Sequence, residues 1–106
     1  MVSDSLDRYG QTPLMRAAVE GHAGDVSRLI AEGALLDHRA KYGLTALMLA
    51  VVNGHTEVVE LLWAAGADLT VQGTGAPGFD GKTALDLARD RGDARMVAVL
   101  SGPAPG

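Results

Sequence analysis

Internal repetition constrains the fold of this 106-residue chain more than any other feature of its sequence. Identical residues recur 33 positions apart along the first two thirds of the chain. The recurring pairs are Gly10 and Gly43, Thr12 and Thr45, Leu14 and Leu47, Ala17 and Ala50, Gly21 and Gly54, His22 and His55, Val26 and Val59, Leu29 and Leu62, and Gly33 and Gly66. A fixed period of this length indicates stacked units, each of them one supersecondary motif.

A third copy follows the second at a wider offset of 38. The pairs that carry it are Gly43 and Gly81, Thr45 and Thr83, Leu47 and Leu85, Ala50 and Ala88, Gly54 and Gly92, Val59 and Val97, and Leu62 and Leu100. The wider offset (38 against 33) places a five-residue insertion within residues 73–80, which we interpret as a longer hairpin finger. We expect an N-terminal extension at 1–6, repeats at about 7–39, 40–72 and 78–101, an insertion at 73–77 and a flexible tail at 102–106.

Each copy carries the signals of two short helices joined by a turn. A threonine precedes each first helix, where its hydroxyl can accept a hydrogen bond from an unpaired backbone N–H. Pro13 suits the first helical position, and the recurring glycines at the turns accept the positive φ that ends a helix. We expect the second helices at about 25–32, 57–65 and 94–100. The polar, turn-rich segments between the units predict hairpin loops, so the fold class is all-α.

Composition excludes several classes of function. The net charge is −4 and the nine basic residues are scattered, so the chain lacks the basic stripe that nucleic-acid binding requires. No apolar run approaches the roughly 18–20 residues of a membrane span. The absence of cysteine removes disulfides, thiol catalysis and thiolate zinc sites. The polar, acidic N-terminal sequence is unlike a signal peptide, and we expect a cytoplasmic location.

The motifs resemble those of the ankyrin-repeat family. From residue 10 the first unit reads Gly-Gln-Thr-Pro-Leu-Met-Arg-Ala-Ala-Val-Glu-Gly-His, and from residue 43 the second begins Gly-Leu-Thr-Ala-Leu and continues Gly-His-Thr-Glu-Val-Val-Glu-Leu-Leu from residue 54. The third, Gly-Lys-Thr-Ala-Leu-Asp-Leu-Ala from residue 81, is similar to a final repeat of that family. The resemblance covers about residues 7–101 and implies an ankyrin-repeat solenoid of three helix-turn-helix units with connecting hairpin loops.

Departures from the family pattern occur at three positions. The family's proline at the first helix is kept only as Pro13, its first-helix histidine is replaced in all three units, and Asp93 stands where the turn has histidine. None of these changes removes a structural requirement. The first-helix histidine is replaced by Met15, Met48 and Asp86, of which the two methionines are expected to be packing residues.

Charged residues stand where the outermost units lack a neighbour. The positions of Leu49 and Leu61 hold Arg16 and Arg28 in the first unit, and those of Val51 and Trp63 hold Arg89 and Ser101 in the third. Because the outer faces of a repeat stack must be polar, we expect three repeats with both ends capped. Trp63 is expected to contribute more to the core than any other single side chain.

Several local patterns imitate chemical sites. The segment 76–83 satisfies a loose phosphate-loop pattern, but no buried parallel strand precedes it, as nucleotide binding would require. The tripeptide Arg91-Gly92-Asp93 resembles an integrin-binding motif by chance. Asp86, Asp90 and Asp93, interleaved with arginines, predict a solvated acidic face. We therefore expect no enzymatic activity, no catalytic residues, no cofactor and no metal site.

The histidines have a structural interpretation as well. Because His22 and His55 recur at the same position, we expect each to cap its second helix and to bond a neighbouring loop, rather than to bind a metal. His38 is expected to be a solvated or contact residue of the first hairpin.

The resemblance to ankyrin repeats implies that partners bind the hairpin tips and the inner face of the first helices. The corresponding residues are Arg8, Tyr9, Gln11, Val19 and Glu20 in the first unit, Lys41, Tyr42, Leu44, Val52 and Asn53 in the second, and Phe79, Asp80, Lys82, Asp90 and Arg91 in the third. Tyrosine and arginine are enriched in interface hot spots. The alternative is that the tyrosines only pack along neighbouring hairpins.

These observations predict a non-catalytic protein–protein interaction module. We expect a small regulatory or scaffolding protein that binds one protein partner, of unknown identity, through roughly 800 Å² of its surface. We expect no nucleic-acid or membrane partner, and the sequence does not indicate homo-oligomerisation. The alternatives are a self-assembling structural subunit and, much further from the pattern, a nucleotide-binding protein that uses the 76–83 loop.

Overall fold

The structure, a computed structural model, describes Leu6 and residues 10–102. Six α-helices lie in this part of the chain: α1 at Pro13–Glu20, α2 at Ala23–Ala31, α3 at Ala46–Val52, α4 at Thr56–Ala64, α5 at Ala84–Arg91 and α6 at Ala94–Ser101. A single 3-10 turn forms at Lys41–Gly43. The described residues form no strand, only an isolated bridge between Gly73 and Asp80. The all-α prediction is confirmed.

The threonine caps are confirmed at all three first helices. The backbone N–H of the third helical residue donates to the threonine Oγ1, over 3.2 Å in α1 and 3.3 Å in both α3 and α5. In α5 the carboxylate of Asp86 also accepts from the backbone N–H of Thr83 at 3.0 Å, which completes a capping box. These bonds satisfy N–H groups that a helix start otherwise leaves unpaired.

The turns between paired helices depend on left-handed glycines. Gly21 (φ 74°) and Gly92 (φ 70°) cap α1 and α5, and Gly54 (φ 76°) follows the last residues of α3. Glycine adopts this conformation at no steric cost. The second helices α2 and α4 begin at Ala23 and Thr56, one or two residues earlier than predicted, because the added residues, Ala23, Gly24 and Thr56, carry no large apolar side chain that periodicity could detect.

The helices form two layers. In one layer α3 contacts α1 and α5, in the other α4 contacts α2 and α6, and each first helix also contacts its own second helix. The core between them is aliphatic, and Met15 and Met48 lie fully inside it, which confirms their packing role. Trp63 packs against this core from a partly exposed position, and its buried indole Nε1 has no hydrogen-bond partner among the described residues. The centre of the core is therefore filled by leucine, methionine and valine.

Exposure follows the pattern expected for the outer faces. Leu49 and Leu87 are buried between repeats, whereas their counterpart Arg16 is partly exposed. On the other side Val51 is buried and its counterpart Arg89 is exposed. The first-helix positions are thus buried where a neighbouring repeat covers them, whereas Leu61 and Trp63 of α4 are only partly buried.

The insertion forms a compact loop that closes on itself. The N–H of Gly73 donates to the carbonyl of Lys82, and the N–H of Gly81 donates back to the carbonyl of Gly73, both over 2.9 Å. Within the loop, the N–H groups of Phe79 and Asp80 both donate to the carbonyl of Ala76 at 2.9 Å. The sequence predicted a longer, projecting hairpin loop here. The insertion instead forms a short series of turns that folds back on itself.

Candidate protein-interaction edge

The tip of the loop that joins α2 to α3 carries a strained residue. Tyr42 has φ 63° and ψ 19°, and it is the one non-glycine residue of the described chain with positive φ. For an L-residue this left-handed conformation costs about 1–2 kcal/mol. Such strain persists only where the surrounding structure holds it, and it concentrates at functional positions.

Tyr42 lies in a small cluster with two other side chains. Its ring centroid is 6.0 Å from that of Phe79, with the ring planes inclined by 37°. The ammonium of Lys41 lies 5.1 Å from the Tyr42 centroid, within the range of a cation–π interaction. Tyr42 remains 40% exposed. We call Lys41, Tyr42 and Phe79 the tip cluster.

Backbone hydrogen bonds attach the insertion to this tip. The N–H of Thr74 donates to the carbonyl of Tyr42 at 2.7 Å. The guanidinium of Arg39 donates through Nη2 to the carbonyl of Gln72 at 2.8 Å and through Nε to the carbonyl of Gly43 at 3.4 Å. Two of these hydrogen bonds therefore join the loop at Tyr42 to residues 72–74, and Tyr42 packs on a neighbouring loop while keeping an exposed face.

Arg39 and Thr74 were not among the residues predicted for the edge. The only signal for Arg39 is that it lies 33 positions before Gln72, one repeat period, so the two residues lie opposite each other on adjacent hairpins. Thr74 lies in the insertion, which has no counterpart in the other repeats and therefore no such signal.

The inner turns are linked between repeats by two different side chains. Nε2 of His55 lies 2.9 Å from the carbonyl of Val19, and this nitrogen must carry the proton to donate. In the next repeat Nη1 of Arg91 donates to the carbonyl of Val52, the period-related position, at 3.3 Å. Arg91 thus replaces the missing third histidine, while Asp93 accepts from the N–H of Met96 and caps α6.

Of the four contacts predicted for the two histidines, the described residues form only one. His55 bonds the neighbouring repeat, but neither His22 nor His55 makes a side-chain bond to the helix that it precedes. The imidazole of His22 instead lies 3.6 Å from the carboxylate of Asp25 and 3.9 Å from that of Glu20. The imidazole of His55 thus reaches back to the preceding repeat, whereas that of His22 lies beside carboxylates of its own repeat, one of them on α2.

The predicted edge residues differ in accessibility. Arg8 and Tyr9 lie outside the described residues. Leu44 is only 5% exposed, so it lies beneath the edge and not on it. The other predicted residues are partly or fully exposed, namely Gln11, Val19, Glu20, Lys41, Tyr42, Val52, Asn53, Phe79, Asp80, Lys82, Asp90 and Arg91.

Part of this exposed set is engaged within the chain. The ammonium of Lys82 pairs with the carboxylate of Asp90. The amide of Asn53 donates to the carbonyl of Leu49 at 2.8 Å, and the carboxylate of Asp80 accepts from the N–H of Gly75 at 3.3 Å. These side chains are oriented before any partner arrives, which lowers the entropy lost on binding.

A cleft opens beside the tip cluster, between Gln11, which precedes α1, and the loop that joins α2 to α3. Its volume is about 240 Å³, and its lining is apolar apart from one amide and one ammonium. The lining residues are Gln11, Ala40, Lys41, Tyr42, Leu44 and Leu49.

The loop at 76–83 is not arranged to hold phosphate. A phosphate loop offers several free backbone N–H groups. Here the N–H groups of Phe79, Asp80 and Lys82 donate to carbonyls of the loop, and that of Gly81 donates to the carbonyl of Gly73. The hydroxyl of Thr83 bonds the carboxylate of Asp86. The geometry therefore opposes nucleotide binding at this loop.

The tripeptide at 91–93 is likewise used by the fold. Arg91 bonds the second repeat, Gly92 caps α5 and Asp93 caps α6. Each residue that an integrin-like motif would display is committed to a structural contact.

Two carboxylates have lowered pKa values. The backbone N–H of Thr83 is the main cause of the lowered pKa of Asp86. Burial opposes it, and the Thr83 hydroxyl, Arg89 and Lys82 lower the pKa further. For Asp68 the hydroxyl and then the N–H of Thr70 lower the pKa. Neither carboxylate belongs to a metal-binding group, since no three potential ligands among the described residues lie close enough together to hold an ion. Both shifts thus arise from capping and turn contacts.

The helices are also short. The longest of the described helices has nine residues, and none is long and apolar enough to cross a membrane.

Comparison with known proteins identifies the repeat. The family model described as ankyrin repeats (3 copies) matches residues 2–73. No curated protein matches the chain. The match covers more than half of the chain, and α5 and α6, which lie beyond it, repeat the helix pairing, threonine cap and left-handed glycine of the first pair. The chain therefore belongs to the ankyrin-repeat family.

Proposed function

We propose that this protein is a non-catalytic interaction module that binds a partner protein through its hairpin tips and the inner face of α1, α3 and α5. Ankyrin repeats are generally protein–protein interaction modules. The observation that carries the proposal for this chain is Tyr42, an exposed tyrosine held in a strained backbone conformation at the centre of that edge. An amphipathic ring fixed in place is typical of an interface anchor.

The proposed role is regulatory or scaffolding. A stack of three short helix pairs offers one contact of standard size, roughly 800 Å² on this chain. A contact of that size suits a protein that masks one surface of a partner or holds it in place. A cytoplasmic setting stays a prediction from the sequence.

Photo-crosslinking tests the proposed edge directly. A photoreactive phenylalanine analogue placed at Tyr42 is expected to crosslink a partner in a lysate of the source organism. The matched control carries the same analogue at Ser27, an exposed residue of α2 in the other helix layer, and is expected to recover none of it. Circular dichroism of both variants confirms that they are folded.

The outcomes separate the candidate functions. Equal recovery from both positions, or recovery from Ser27 alone, would contradict the proposed edge. Crosslinks between copies of the chain, with a mass that rises with concentration in light scattering, would favour the self-assembling subunit instead. A thermal shift with millimolar Mg-ATP would revive nucleotide binding, and we expect none.

A further inference from the structure

The cleft beside the tip cluster has the dimensions of one side chain. Its volume of about 240 Å³ is below the roughly 300–1,000 Å³ of a small-molecule site. Leu44 and Leu49, 5% and 7% exposed, form its apolar floor, and the ring of Tyr42 lines it as well. Burying an apolar side chain there is favourable because both partners lose contact with water.

Among the described residues that line the cleft, one carries a charge, and that charge is positive. Within the described residues, Lys41 is the one cation whose charged group has neither a carboxylate nor a carbonyl partner, since its contact is the Tyr42 ring. The cations that pair with carboxylates are Arg28, Lys82, Arg89 and Arg95. The cations that donate to carbonyls are Arg16, Arg39 and Arg91.

This placement makes Lys41 a ready partner for an incoming carboxylate. The ammonium is held over the Tyr42 ring, so binding need not break an existing ion pair. None of the described lining residues is a carboxylate that would repel the ligand, although the chain as a whole carries a net charge of −4. Charge complementarity with Lys41 therefore favours a ligand in which an acidic residue lies next to the inserted apolar side chain.

We propose that the cleft between Gln11 and the loop that joins α2 to α3 receives an apolar side chain from a peptide segment of the partner, and that an adjacent Asp or Glu of that segment pairs with Lys41. The apolar side chain lies over Leu44 and Leu49, and the carboxylate bonds the Lys41 ammonium at the rim. This assignment rests on the proposed function, because it specifies the chemistry of the partner at the same edge.

A selection from a random heptapeptide library displayed on phage tests the assignment. We expect the protein to enrich peptides in which a large apolar residue neighbours Asp or Glu. The most enriched peptide is then synthesised and titrated into ¹⁵N-labelled protein. It is expected to shift the amide resonances of Gln11, residues 40–44 and Leu49. Its matched peptides replace the apolar residue by serine, or the acidic residue by lysine, and are expected to bind at least fivefold more weakly.

Three variants of the protein test separately the charge of Lys41, the space in the cleft and the overall charge of the protein. Lys41→Glu is expected to weaken the winning peptide roughly fivefold to tenfold and to restore binding of its lysine-substituted form. Ala40→Leu fills the cleft without changing charge and is expected to weaken all the apolar peptides. Arg95→Glu makes the same charge change on α6, outside the cleft lining, and is expected to leave binding nearly unchanged.

The outcomes decide the inference separately from the proposed function. Winners that are polar or basic, or that shift resonances elsewhere along the edge, overturn the cleft assignment and leave the edge as the binding surface. A library that yields no peptide that shifts the cleft resonances at millimolar concentration also overturns it, while the crosslinks at Tyr42 still decide the proposed function. Equal effects of Lys41→Glu and Arg95→Glu would show that only overall charge matters.

Discussion

Tyr42 shows at the scale of one residue how this chain departs from local preference. Its backbone occupies the left-handed region in which glycine, asparagine and aspartate are usual. The hydrogen bond from Thr74 to its carbonyl, the Phe79 ring and the Lys41 ammonium hold it there. The strain thus positions a ring at the surface, where a glycine would have given the same turn without one.

Replacement of Tyr42 can separate strain from binding. Tyr42→Gly removes the strain together with the ring, so we expect the free energy of unfolding to stay within about 1 kcal/mol of the original. Tyr42→Ala keeps the strain and should be about 1 kcal/mol less stable than the glycine variant. Both variants should lose binding to a partner captured at this edge. Urea unfolding measures the stabilities, and a glycine variant less stable than the alanine variant would contradict the account.

Asp86 gives a prediction of pH dependence. Its pKa is lowered in the folded chain, chiefly by the N–H of Thr83. A lowered folded pKa contributes stability that is present above the unfolded pKa of about 3.9 and is lost as the pH falls below it towards the folded value.

We therefore expect Asp86→Asn to lose less stability than the original chain between about pH 5 and pH 3. Urea unfolding midpoints of the two proteins across that range measure the difference in stability. The lowered pKa of Asp68 contributes equally to both proteins, so it does not affect this difference. Parallel pH curves for the two proteins would mean that the capping carboxylate does not couple to folding.

At the scale of the helix pair, the inner turns are joined by contacts that need close approach. A Cβ on Gly21 would lie 2.6 Å from Nδ1 of the His55 ring, whereas a Cβ on Gly92 would meet nothing within 4 Å. Both glycines cap a helix with nearly the same φ. The two positions therefore differ in their surroundings and not in backbone conformation.

This pair of glycines allows a matched experiment. Gly92→Ala should cost about 1 kcal/mol for the left-handed conformation alone. Gly21→Ala should cost roughly 1 kcal/mol more, because the His55 ring must move and lose its bond to Val19.

A double-mutant cycle checks the cause. In the background of His55→Ala, where the bond is already absent, the extra cost of Gly21→Ala should disappear. Equal costs for the two glycines in the original background would show that the ring adapts freely.

At the scale of the whole molecule, stability depends on neighbours within the stack. The central pair, α3 and α4, contacts both outer pairs, whereas α6 contacts only α4 and α5 among the principal helix contacts. Repeat arrays of this kind gain stability from interfaces between adjacent units. A destabilising substitution in the central helix pair should therefore increase local unfolding over more of the molecule than the same substitution in an end pair.

Two equivalent leucines test this expectation. Leu62 in α4 and Leu100 in α6 occupy the same repeat position and are both almost fully buried. Each change to alanine should cost about 2–5 kcal/mol. Leu62→Ala should raise amide hydrogen exchange in all six helices, and Leu100→Ala mainly in α5 and α6. Uniform exchange in both variants would show that the stack unfolds only as one unit.

The sequence alone determined the features that depend on local chemistry and on repetition. The period located the helix pairs, and the threonine and glycine signals located the capped starts of the first helices and the turns that follow them, because capping involves residues three or four positions apart. The offset between copies also located the insertion. Polar and charged residues at positions that face no neighbouring repeat identified the outer faces of the stack.

Only the tertiary structure decided the details of the edge. The burial of Leu44, the left-handed turn at Tyr42 and the bond from Arg39 to Gln72 all depend on contacts between adjacent hairpins. The transfer of the histidine's role to Arg91 depends on the distance between two turns in space. Local pattern does not encode these contacts, since they form between side chains whose meeting is fixed only when the repeats stack.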